Sequence, residues 1–191
     1  MGITSVDASR KMNLLQMVFA AMMLALALVL PILTGQIREI GNMLCPMHIP
    51  VLLCGFFCGP VYGAVVGLIA PVLRFVIFGM PPLMPIGVAM CFELATYGFI
   101  SGLLYKMLPK KKFSIYVSLV SAMICGRVVW GVARVILYGL GKSEFGWAAF
   151  LSGAFFNAIP GIILQIILIP ILVMIVRKVF PNIKNTKLQK H

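Results

Sequence analysis

The chain has 191 residues, 62% of them apolar, with sixteen Lys and Arg against four Asp and Glu for a net charge of +12, and its mean hydropathy is +1.09. Apolar runs of about 18 or more residues recur along the whole length, each long enough to cross a hydrocarbon core of ~30 Å, which excludes a soluble globular domain and predicts an all-α integral membrane protein. In such a protein a basic excess reports the Lys and Arg of cytoplasmic loops, so the charge does not imply a nucleic-acid partner.

Breakers and apolar runs together predict six spans, near 13–34, 47–58, 60–79, 85–106, 113–138 and 148–178. The first run lacks a small-residue cleavage site and is followed by further spans, so it is expected to stay as a helix rather than be removed as a signal peptide. The second is short for a full crossing. Gly59-Pro60 and "GMPPLMP" at 79–85 read as turns. At 1.5 Å per residue the last run is ~46 Å long; "NAIPGI" at 157–162 is its natural break, because Pro160 removes a backbone donor and Gly161 loosens the helix. No internal repeat is visible. The expected organisation is a cytoplasmic N-terminal segment (1–12), one six-helix membrane domain (13–178) and a basic cytoplasmic tail (179–191).

Loop charges orient the bundle. With the N-terminus inside, the inner segments hold Arg10, Lys11, Lys106, Lys110, Lys111, Lys112, Arg177, Lys178, Lys184, Lys187 and Lys190, eleven of the sixteen basic residues. The outer loops hold only Arg38 and Lys142, each close to an acid, Glu39 and Glu144. That asymmetry predicts both termini in the cytoplasm. Of five cysteines, Cys54, Cys58, Cys91 and Cys125 fall inside apolar runs and read as buried small hydrophobes rather than a disulfide framework or a metal site.

Four charged residues remain inside the spans: Arg74, Glu93, Arg127 and Arg134. Charges there are costly and mark pathways or sites. Helix rise places Arg74 ~7 Å, Glu93 ~12 Å, Arg134 ~7 Å and Arg127 ~18 Å below the outer ends of their spans, with the amide of Asn157 ~15 Å down the last one. All five lie in the outer half or at the midplane, the pattern of a polar pocket opening outward. Two plainer readings stand beside it: Arg74 and Arg134 snorkel to the outer interface, and Arg127 pairs with Glu93 as a structural salt bridge. Arg127 and Arg134, seven residues apart, share a helix face, with Trp130 between them. If Glu93 neutralises one arginine, the remaining guanidinium groups suit a carboxylate or phosphate of a bound solute.

"AAMMLALA" (20–27), the run "MHIPVLLCGFFCGPVYGAVVGLIAPVLRFVIFGMPPLMP" (47–85) and "FELATYGFISGLLY" (92–105) resemble the substrate-binding S components of energy-coupling-factor (ECF) vitamin transporters. The resemblance covers about residues 12–178 and rests on size, span number and this central stretch. It implies a six-helix subunit that binds a vitamin-like small molecule from outside, docks on a transmembrane T component driven by two cytoplasmic ATPases, and topples to release the solute inside. Partner docking in the family uses a small-x-x-x-small motif in the first helix, which Ala21 and Ala25 match; small side chains let helices approach closely in lipid. Internal packing also accounts for that pair. "MHIP" is similar, too, to the start of the nickel and cobalt S components, but His48 is internal here and lacks the free amine, so no metal is expected. His48 is expected to polarise the pocket rim or cap the second span.

A cationic surplus favours an anionic solute, pantothenate first, then nicotinate or a folate, with riboflavin and pyridoxine-like solutes also open. Tyr97 and Trp130, together with Phe75, Phe78 and Phe156, can pack against its apolar or ring portion. No cofactor is expected. No phosphate-binding loop occurs, so ATP hydrolysis falls to partners. An enzyme is disfavoured, because neither paired carboxylates nor a metal cluster is present to do chemistry. Two further classes compete with the binding subunit: a small secondary transporter or channel acting as a dimer, and a structural membrane scaffold.

Overall fold

The structure, a computed structural model, describes residues 3–33, 46–109, 111–140 and 159–179. Regular structure among them is helical throughout: α1 (Ile3–Leu33), α2 (His48–Cys58), α3 (Pro60–Phe78), α4 (Val88–Met107), α5 (Lys112–Leu140) and α6 (Ile159–Val179), with one π-type turn, Leu83–Gly87, leading into α4. Five stretches are long and apolar enough to cross a bilayer: Asn13–Ile32, Pro60–Phe78, Leu83–Met107, Lys112–Leu137 and Ile159–Lys178. At 11 residues, α2 is the exception.

Breaks fall where the turn chemistry puts them. Gly59 adopts φ 96°, a conformation that side chains disfavour, and its N–H closes α2 on the Gly55 carbonyl at 3.1 Å. Pro60 then opens α3, where its missing donor costs nothing. At the far end Gly79, left-handed at φ 68°, donates to the Phe75 carbonyl and terminates α3. The turn from α4 to α5 is tied by the Ser114 hydroxyl, which donates to the Pro109 carbonyl. The last described helix, Ile159–Val179, runs through Pro160 and Gly161, and the preceding part of that expected span lies outside the described residues.

The short helix is the hub. Ten of its eleven residues, all but Phe57, are buried, because α1, α3, α4 and α6 all pack against it. Enclosed by protein, α2 has no need to reach from one membrane face to the other. Around it α3 and α4 approach along bare backbone: a Cβ on Gly98 would lie 2.2 Å from the Gly63 carbonyl oxygen, and one on Gly63 would lie 2.5 Å from that of Gly98. Close approach of this kind is how helices associate in lipid, where apolar burial gives no driving force. The interior is filled by Leu52, Leu94, Ile115, Leu119, Ile169 and Val173. Valines and isoleucines such as Val61, Val76, Val128 and Ile175 cover the outside.

Two sequence expectations are refined by this packing. Cys54, Cys58 and Cys91 are buried, but Cys125 is exposed on the outer face of α5 and is not a core residue. On α1, Ala20, Met23 and Ala27 face the core, whereas Ala21 and Ala25 point outward beside Met22 and Leu26.

Candidate solute site

Glu93 and Tyr97 are one turn apart on α4 and share a face. Across from them the start of α2 supplies His48 and the middle of α5 supplies Arg127. Arg127 Nη1 lies 3.1 Å from Glu93 Oε1, and His48 Nε2 lies 3.5 Å from the same oxygen. The Tyr97 side chain also hydrogen-bonds to this carboxylate, and its ring stands 5.1 Å from the imidazole at a tilt of 59°. All four residues are withdrawn from the surface, at 1% exposure for Glu93, 1% for Tyr97, 3% for His48 and 8% for Arg127. A carboxylate at this depth persists because two cationic or potentially cationic groups and a hydroxyl converge on it; unaccompanied, it would be strongly disfavoured.

A glycine makes the convergence possible. Gly126, the residue before Arg127, leaves room for the Tyr97 ring: a Cβ there would lie 2.2 Å from Tyr97 Cε1. The ring therefore lies against the backbone of α5, which brings Arg127 up to Glu93. Sequence reasoning passes over Gly126, although a glycine directly beside an intramembrane arginine is the signal that can find it.

Along the same face of α5, Trp130 and Arg134 follow Arg127 at intervals of three and four residues. Trp130 is buried with Ala89 against Ala133 and Leu137. The half-buried Arg134 guanidinium stacks 5.0 Å above the Trp130 ring. The expected unit of Arg127, Trp130 and Arg134 is thus present as a ladder, its lowest rung joined to Glu93. Beside it, a groove between α4 and α5 is lined by Val88, Phe92, Val128, Val132, Ile136 and Leu137 and contains none of the charged residues.

Other expected members are placed differently. His48 neither lines a rim nor caps α2: it is buried, with Nε2 turned toward Glu93. Its helix is short and sunk, so its first residue already lies at the depth of Glu93. Arg74 does not snorkel. At 6% exposure it is held on the seam of α1 and α3, donating from Nη1 to the Leu28 carbonyl at 3.3 Å and stacking 5.5 Å over Phe78. Leu28 lies next to Ala27, whose carbonyl loses its helical donor to Pro31. Asn157 lies outside the described residues.

The described part thus consists of packed apolar helices around one buried carboxylate, with the guanidinium groups of Arg74, Arg127 and Arg134 inside its apolar helices. In comparisons with curated proteins and with solved structures, nothing matches. A family model described as ECF transporter, substrate-specific component, matches residues 15–173, which include every member of the buried cluster and both outward alanines of α1. The chain therefore belongs to the family of ECF transporter substrate-specific components, membrane transport subunits rather than enzymes, and is a multi-pass protein of the cell membrane.

Proposed function

We propose that this chain is the high-affinity solute-binding subunit of an ECF-type importer, a six-span protein with both termini in the cytoplasm that takes up an anionic vitamin-like micronutrient, with pantothenate the favoured solute. The observation that carries this reading is the ladder on α5. Arg127 is matched by Glu93, while Arg134 sits two turns further along the same face over Trp130. What favours an anionic solute is a guanidinium stacked on an indole face beside the buried Arg127–Glu93 pair, a fork of paired donors over a flat apolar surface. Trp130 supplies a flat apolar surface to one side of the solute and the Arg134 fork supplies paired donors to its charged end.

His48, Glu93 and Tyr97 form the floor on this reading. They present imidazole, carboxylate and hydroxyl groups to the hydroxyl or amide groups of a solute, which gives selectivity against analogues lacking them. Docking on the T component falls to the outward alanines Ala21 and Ala25, and two ATPases below it supply the energy. Their exposure on α1, opposite Ala20 and Ala27, supports an external role over internal packing.

The test is calorimetry on the purified chain in detergent, without ATP, across carboxylate-bearing and neutral vitamins. A carboxylate-bearing ligand bound more tightly than about micromolar is expected, since a pre-formed site in a rigid bundle loses little entropy on binding. Binding confined to neutral or cationic vitamins would overturn the anionic assignment, and no binder at all would overturn the solute-site reading.

A further inference from the structure

Near the ends of α4 and α6 lies a second polar group that the solute site does not use. Arg177 lays its guanidinium 5.1 Å over the ring of Tyr105, and that ring also meets Phe56 of α2, edge-on at 5.0 Å. Tyr105 is 8% exposed. Its hydroxyl and Arg177 Nη2 are both buried, and neither has a hydrogen-bond partner among the described residues. A buried hydroxyl and a buried guanidinium nitrogen that both lack partners, one of them charged, are best satisfied by an oxygen acceptor that carries negative charge. The described side chains do not supply it. Among residues 13–33, 46–109, 111–140 and 159–179 the only acid is Glu93, ~18 Å away along α4 by helix rise.

The surroundings indicate where the acceptor comes from. Lys106 follows Tyr105, Lys178 follows Arg177, and Lys111 and Lys112 open α5 just past the turn from α4; all four are exposed. This end of the bundle is thus a basic collar at the edge of the apolar belt, where the headgroups of a bilayer lie. Arg177 itself is only half-buried, so its guanidinium can swing outward from the tyrosine face while the ring stays fixed on Phe56.

We infer that Arg177 and Tyr105 form a site for the phosphate of an anionic phospholipid, with the guanidinium and the phenolic hydroxyl donating to its non-bridging oxygens and the lysines of the collar attracting the headgroup. Basic pockets between helix ends at a membrane surface bind anionic headgroups in this manner. The inference is independent of which solute the outer site takes.

The test compares thermal unfolding of the full chain in nanodiscs of phosphatidylcholine alone and of phosphatidylcholine with phosphatidylglycerol. The wild type is expected to melt about 2–4 °C higher in the anionic discs, as specific binding to the folded state requires. Tyr105→Phe keeps the ring under the guanidinium and against Phe56, so it should fold normally yet lose most of that gain. Arg177→Met should lose all of it, Arg177→Lys should keep part, and Lys112→Gln, a collar residue away from the stack, should keep most. An equal gain in every variant would reduce the effect to diffuse surface attraction and overturn the site. Absence of a gain in the wild type would overturn it too, by placing the acceptor within the chain itself. Soluble glycerol phosphate reproducing the gain in phosphatidylcholine discs would overturn the lipid assignment in favour of a free phosphate.

Discussion

Arg127 Nη1 and Glu93 Oε1 meet at 3.1 Å between α5 and α4, with both side chains almost completely enclosed. Removing one partner leaves the other charged and buried, which costs about 3–5 kcal/mol, whereas removing both charges costs far less. Arg127→Gln is therefore expected to lower the melting temperature of the solute-free protein sharply, and the double variant Arg127→Gln with Glu93→Gln is expected to recover most of it. Thermal unfolding in detergent reads the cycle. A double variant as unstable as the single one would show that the pair is not what holds Arg127 there.

Arg134 separates binding from stability. Being half-buried and stacked on Trp130, it can be changed with little effect on the fold. If it grips the anionic end of the solute, Arg134→Gln should weaken affinity by about 2–5 kcal/mol and leave the solute-free melting temperature within a degree or so of wild type. Arg134→Lys should restore only part, because an ammonium cannot reproduce paired donors in one plane. Unchanged affinity in Arg134→Gln would remove this residue from the site.

Gly126→Ala tests how the floor is built. The added methyl would fall 2.2 Å from Tyr97 Cε1, and a ring edge cannot yield as a flexible chain end does. Displacing Tyr97 should cost about 1–3 kcal/mol of stability and weaken solute binding along with it. Adding Tyr97→Leu should relieve the overpacking without restoring affinity; recovery of both would mean that Tyr97 only fills space.

On α1 the two faces give opposite expectations. Ala21→Leu or Ala25→Leu, on the outward side, should leave calorimetric solute binding intact while abolishing uptake in cells, because bulk there keeps a partner helix at a distance. Ala20→Leu or Ala27→Leu, on the inward side, should lower the melting temperature instead. Loss of binding in the outward variants would assign them to the internal core.

Residue patterns make much of this readable, and the failures share a cause. Gly59-Pro60 and Gly79 mark element ends through backbone chemistry that holds in any solvent, so those boundaries are legible. The juxtaposition of Arg127 and Glu93 follows from counting depth along α4 and α5. The expectation that His48 sits at a rim or caps the second span fails, because the start of a short helix wrapped on all sides lies at the depth of Glu93. Cys125 and the two alanine faces of α1 are illegible for a separate reason. Where lipid-facing and core-facing positions are equally apolar, the periodic contrast that reveals burial in soluble helices is absent. The pairing of Arg74 with Leu28 is hidden because the sequence does not show which backbone carbonyls a distant side chain will meet.

The contact between Gly63 and Gly98 has a mechanical side. Where two helices touch through backbone alone, no rotamers exist to reshuffle at the seam, so α3 and α4 cannot slide past each other by trading one side-chain arrangement for another. The amides along that line should be among the last to exchange with deuterium. Any reorientation of the subunit in the bilayer must then carry α3 and α4 as one plank.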